Sequence, residues 1–117
     1  MTIATDREDL ALVLEGVPGV NGHAYKPSAP AEGDAWPRLV SIVREQGIVL
    51  RPTWAILVWL SSDERVASAW IDEHFADLVE ALSADASPGF VDEGEPALMQ
   101  VGRNDHPMLE ITLKTVG

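Results

Sequence analysis

The side chains in this sequence able to do acid–base or metal chemistry are its imidazoles and carboxylates, and their spacing argues against both. His23, His74 and His106 stand far apart and none forms a close pair with another histidine, so a zinc site would have to be assembled wholly by the fold. His74, beside Phe75 on an apolar helical stripe, has the setting of a packed or helix-flank histidine. Glu73, Asp77 and Glu80 share one helix face at spacings of four and three, where like charges repel. A general acid among them would need an apolar or like-charged setting to raise its pKa. There is no cysteine, which removes disulfides, thiolate metal sites and thiol nucleophiles together. Gly16, Gly19 and Gly22 recur at threes without a preceding strand or a basic residue at the distance a phosphate loop requires, so they read as turn. No GxSxG elbow exists, and no serine, histidine and acid are grouped as a triad. The sequence therefore predicts a structural subunit and not an enzyme, with no catalytic residue, metal or cofactor.

Nineteen acids against eight bases give a net charge of −11, which argues against a basic patch for nucleic acid or an anionic membrane. Between Arg65 and Arg103 there is no Lys or Arg. Glu73, Asp77, Glu80, Asp92, Glu93 and Glu95 fall in that interval and form the candidate acidic surface. It is either a solvated helix face with its following loop, or a surface that meets a basic partner or lines an anionic channel. Asp6, Arg7, Glu8 and Asp9 occupy the stretch where a secretory signal would need an apolar run, and no apolar run approaches the roughly 18 residues that span a bilayer. The expectation is a single domain over residues 1–117, made in the cytoplasm and without a membrane partner.

The elements that must position these residues follow from periodicity. Thr5 with Glu8 has the form of a capping box, and Leu10, Val13, Leu14 and Val17 follow at helical spacing, predicting a short helix over about Asp6–Glu15. Gly16, Pro18 and Gly19 stop it, and a short strand is expected over Val20–Tyr25. Residues 26–37 hold three prolines and read as an exposed loop. Leu39–Arg44 and Ile48–Leu60 flank Gln46 and Gly47 and read as a hairpin, with Pro52 placing the start of its second strand at an edge or bulge. Trp54–Leu60 is apolar on both alternating faces, the pattern of a central strand. Ser61 with Glu64 reads as a second capping box. Ala67, Trp70, Ile71, His74, Phe75, Leu78, Val79 and Leu82 then predict a long helix at about 62–83. A second hairpin is expected from Ala97–Val101 and Met108–Val116, joined by Arg103, Asn104 and Asp105. Trp54, Trp59 and Trp70 are assigned to the core, while Trp36 is either an exposed anchor beside prolines or folds back on its own sheet. The order α-β-β-β-α-β-β predicts an α+β fold, a single mostly antiparallel sheet packed by one long helix and a short N-terminal helix.

Several strings taken together carry a resemblance: ValProGlyValAsnGlyHisAlaTyrLysPro at 17–27, GlyAspAlaTrpPro at 33–37, ThrTrpAlaIleLeuValTrpLeu at 53–60, AspGluArg at 63–65 and TrpIleAspGluHis at 70–74. In pattern and element order the chain resembles tail terminator (tail completion) proteins of long-tailed phages of actinobacteria. That resemblance implies an α+β subunit of the virion, located at the head–tail junction. There it would close a ring with copies of itself, typically six, cap the tail tube and stop its polymerisation. It implies the tail tube protein and the head–tail connector as partners, with genomic DNA passing only in transit. It supplies no catalytic residues. The candidate interface is the loop 26–37, through Lys26, Pro27, Pro30, Asp34, Trp36 and Pro37, together with sheet edges. An adjacent neck protein and an acidic inhibitor that mimics nucleic acid are the alternatives.

Overall fold

A strand apolar on both faces needs cover on both, and the chain supplies it unequally. The computed structural model describes residues 3–44, 50–84 and 87–115. In order these form α1 (Ile3–Glu15), β1 (Asn21–Gly22), β2 (Asp34–Arg44), β3 (Leu50–Trp59), α2 (Glu64–Leu82), β4 (Gly89–Val101) and β5 (Asn104–Thr115). The α+β order is as expected. One five-stranded sheet runs β1-β2-β3-β5-β4; β1 pairs parallel with β2 and every other pairing is antiparallel, so the sheet is mixed.

Both helices lie on one face. Leu10 and Leu14 of α1 and Ala67, Trp70, Leu78 and Leu82 of α2 pack with Trp54, Ile56 and Val58 of β3 and Leu109, Ile111 and Leu113 of β5. These strand residues alternate, so their neighbours face the other way. There Trp36, Ala55, Leu57 and Met108 form a second, smaller buried cluster, with Trp59 and Met99 packed against it. Trp59 stacks on His106 with centroids 3.8 Å apart, and His106 Nε2 donates to Leu60 O at 2.6 Å. Trp54, Trp59 and Trp70 thus pack as expected.

Several boundaries differ from expectation. The long helix is 19 residues rather than spanning 62–83, because its N-cap is Asp63 and not Ser61. Asp63 Oδ1 accepts from the amides of Arg65 (2.9 Å) and Val66 (3.3 Å), whereas Ser61 Oγ accepts from Asp63 N. An acceptor one residue before the helix satisfies amides that Ser61 stands too far back to reach. In the first helix, α1 already includes Ile3, so Thr5 lies inside it and not at an N-cap position. The strand expected over 20–25 is only two residues long, since after His23 N donates to Ala35 O the chain leaves β2. β4 starts at Gly89, eight residues ahead of the expected Ala97. A bulge between Val91 and Glu93 keeps it paired with β5, and Gly94 makes room for the helix, since a Cβ there would stand 2.5 Å from Phe75 Cε1. The turn is the two residues Gly102 and Arg103, so Asn104 and Asp105 belong to β5.

Pro52 pairs with Ile42 of β2, and the described pairs of β3 with β5 run from Thr53 to Trp59. Gln46 and Gly47, the expected turn of that hairpin, lie outside the described residues.

Candidate functional site

The expected interface loop divides at Gly33. Lys26 is exposed and Pro27 and Pro30 are half-buried in the connection between β1 and β2. Asp34, Trp36 and Pro37 are buried residues of β2, which corrects their assignment to an exposed loop. Each has a physical reason to be inside. The Asp34 carboxylate accepts from Ala31 N at 2.8 Å and lies 3.2 Å from His23 Nε2. Burial pushes its pKa up, but those contacts and a hydrogen bond with Asn21 outweigh burial and hold it below the ordinary 3.8. Trp36 is 3% exposed, opposite Leu57 in the second cluster, so it is no contact anchor. Pro37 accepts at its carbonyl from Arg7 Nη1 at 3.0 Å. Backbone N and O of one strand residue point to the same side, so the N–H that proline lacks falls on the open side of β2, not in the β3 ladder.

The candidate acids are exposed, but the fold does not gather them. Glu73, Asp77 and Glu80 lie on α2, with Asp77 and Glu80 beside Val17 and Pro18 at a shallow depression. Gly94 faces Phe75, so Glu93 and Glu95 point to the opposite face of the sheet. Glu95 stands opposite Glu110, and Asp92 pairs with Lys114 at 3.4 Å. The helix acids and the β4 acids therefore form two surfaces on opposite sides of the molecule. Acids from a turn-rich stretch thus belong to β4, whose bulge lies between Val91 and Glu93.

Sequence reasoning missed a third surface. Beyond Leu39 and Thr53 the β2–β3 hairpin runs on as an arm whose apolar residues stay outside the core. Val40 is 54% exposed, Val43 55%, Leu50 49% and Ile42 43%. Ile42 and Leu50 project from one face of this arm and Val43 from the other. The signal was present: the run LeuValSerIleVal at 39–43 has apolar residues on both alternating faces, with no helix sequence close enough in the chain to cover them.

At the far end of β3 lies an apolar groove of about 570 Å³ between the start of α2 and the β4–β5 hairpin. Leu60, Ala67, Ile71, Pro96 and Leu98 line it, Glu64 stands on its wall, and Leu98 is 66% exposed. The two borders of the sheet also differ. β4 is interrupted by its bulge and by Pro96 and carries acids, features that discourage strand addition. β2 past Ala35 has no further strand beside it among the described residues.

Among the described residues no group of three His, Asp or Glu side chains could hold a metal ion, and no helix is long and apolar enough to cross a membrane. Comparison with protein-family models, curated proteins and solved structures finds no match to this chain. What the geometry offers chemically is contact: an apolar arm, an apolar groove and two acidic faces.

Proposed function

We propose that this chain is a structural subunit that joins copies of itself into a closed ring, and that the ring is a phage tail terminator. In that role it caps the tail tube, stops its polymerisation and docks to the head–tail connector while DNA passes through the lumen. The observation that carries the reading is the arm. Four aliphatic side chains, Val40, Ile42, Val43 and Leu50, exposed on this part of β2 and β3 are costly to leave in water and are a common mark of a protein contact. The resemblance in sequence pattern supplies the particular assembly, and the acidic faces suit a lumen that must not bind phosphates.

Native mass measurement and electron microscopy of the protein, alone and with tail tubes added, test the proposal. A six-membered ring on tube ends is expected. A chain that stays monomeric with tubes present, or one absent from the head–tail junction of virions, overturns it. Because the two groups of acids lie on opposite sides, only one can line the lumen. Reversing Glu73, Asp77 and Glu80 to lysine, or separately Glu93 and Glu95, should slow DNA delivery in one case and leave intact rings in both. An acidic nucleic-acid mimic, by contrast, would act as a monomer bound to a basic enzyme, and the split of the acids between two faces counts against it.

A further inference from the structure

We infer that the groove between α2 and the β4–β5 hairpin seats a short amphipathic helix of a different, basic protein. Aliphatic side chains of that helix fill the groove while its lysine or arginine side chains meet the acids on the α2 lip. Leu60, Ala67, Ile71, Pro96 and Leu98 make the groove apolar, and its volume of about 570 Å³ falls within the range of about 300–1,000 Å³ usual for binding sites. Leu98 is 66% exposed, so the groove is open to solvent. It lies at the Trp59 end of β3, whereas the exposed aliphatic residues of the arm lie toward the Leu50 end, roughly 30 Å away. Contacts among copies through the arm therefore leave the groove free, and the inference does not depend on the ring.

Charge selects the occupant. Glu64 and Ser68 line the groove from α2, and Asp72 continues the same helix row at the next interval of four. Both acids are exposed, and neither has an ion pair among the described residues. The facing lip, Pro96 to Leu98, carries no charge. Arg65 stands about 100° round the helix from Glu64 and does not line the groove. Arg103 lies in the hairpin turn beyond Leu98, roughly 16 Å along the strand. Glu64 and Asp72 are about 12 Å apart along α2, so a helix laid beside it reaches both with bases two turns apart. A second copy is a poor source of that helix: Leu12, the exposed leucine of α1, has Glu8, Asp9 and Glu15 at helical spacing around it and would bring acid against acid.

Two fluorescent peptides of about four helical turns serve as probes. Both carry leucine at i, i+3, i+4 and i+7; the remaining positions are lysine in one and glutamate in the other. Fluorescence anisotropy follows their binding to the full chain at about 0.15 M salt, which screens loose charge attraction. The lysine peptide should bind about tenfold or more tightly than the glutamate peptide. Leu98→Asp should weaken it about tenfold or more, even though the added acid strengthens any unspecific attraction. The double variant Glu64→Lys, Asp72→Lys should reverse the preference. Circular dichroism verifies that each variant is folded. Sedimentation with and without tail tubes should find Leu98→Asp in the same state as the natural chain, whether or not rings form. Equal affinity for both peptides, no binding of either, or undiminished binding of the lysine peptide to Leu98→Asp overturns the inference. So does a loss of self-assembly in Leu98→Asp, which would make a second copy the occupant.

Discussion

Arg7 is the side chain through which α1 holds the open border of the sheet, and replacing it with methionine isolates that duty. Its Nη1 donates to Pro37 O at 3.0 Å and to Ala24 O at 3.3 Å. Its guanidinium lies 4.6 Å from the Tyr25 ring centroid and 5.0 Å from that of Trp54. A charge-assisted bond at 3.0 Å in a half-buried setting contributes about 1.5 kcal/mol, and the longer one less. Tyr25 is 69% exposed, so its ring adds only about 0.5 kcal/mol, whereas the buried Trp54 adds up to about 1 kcal/mol. Methionine keeps the apolar stem and loses all of these, so Arg7→Met should cost about 2–4 kcal/mol. With a urea slope near 2 kcal/mol/M, the unfolding midpoint falls by about 1–2 M. Arg7→Lys keeps the charge but not the fork, and should recover about half. Equilibrium unfolding followed by tryptophan fluorescence measures both. A loss below about 0.5 kcal/mol for Arg7→Met would refute the assignment of Arg7 as the tie between helix and sheet border.

Three further outcomes follow from the same structure. At Gly22 an added Cβ would stand 2.3 Å from Ala11 O and 2.6 Å from Glu15 N, both backbone atoms of α1, so Gly22→Ala should destabilise by about 1–3 kcal/mol or more, read as a lower melting temperature. Asp34 has a folded pKa below its ordinary value, so its contribution is present above about pH 4 and is lost as pH falls through the lower folded value. Asp34→Asn should therefore be less stable than the natural chain at neutral pH, and the gap should close on acidification; a constant gap in urea titrations across that range contradicts the linkage. Asp6 shows the reverse case: burial, with Asp9 nearby, raises its pKa, and Oδ1 has no hydrogen-bond partner, so its charge opposes folding at neutral pH. Asp6→Asn should leave stability unchanged or raise it by up to about 1 kcal/mol, and a marked loss at neutral pH would show that the carboxylate has a stabilising role.

The sequence by itself determined the order of elements, the central position of β3 and the core face of α2, because each rests on local periodicity. Alternation or helical spacing states which residues share a side. Tertiary structure decided which of those sides is covered. Trp36 and Pro37 looked like loop residues because prolines surround them, yet pairing of Trp36 with Leu57 and the reach of Arg7 to Pro37 O draw both into β2. Asp92, Glu93 and Glu95 looked like loop acids because glycine and proline punctuate them, yet a bulge and the Gly94–Phe75 approach let them continue as strand. The arm exists because β2 and β3 run past the last described pair of β3 with β5, Thr53 with Lys114, and carry exposed apolar residues there. Relative lengths of elements distant in sequence set that overhang, and no local pattern encodes a difference between two distant lengths.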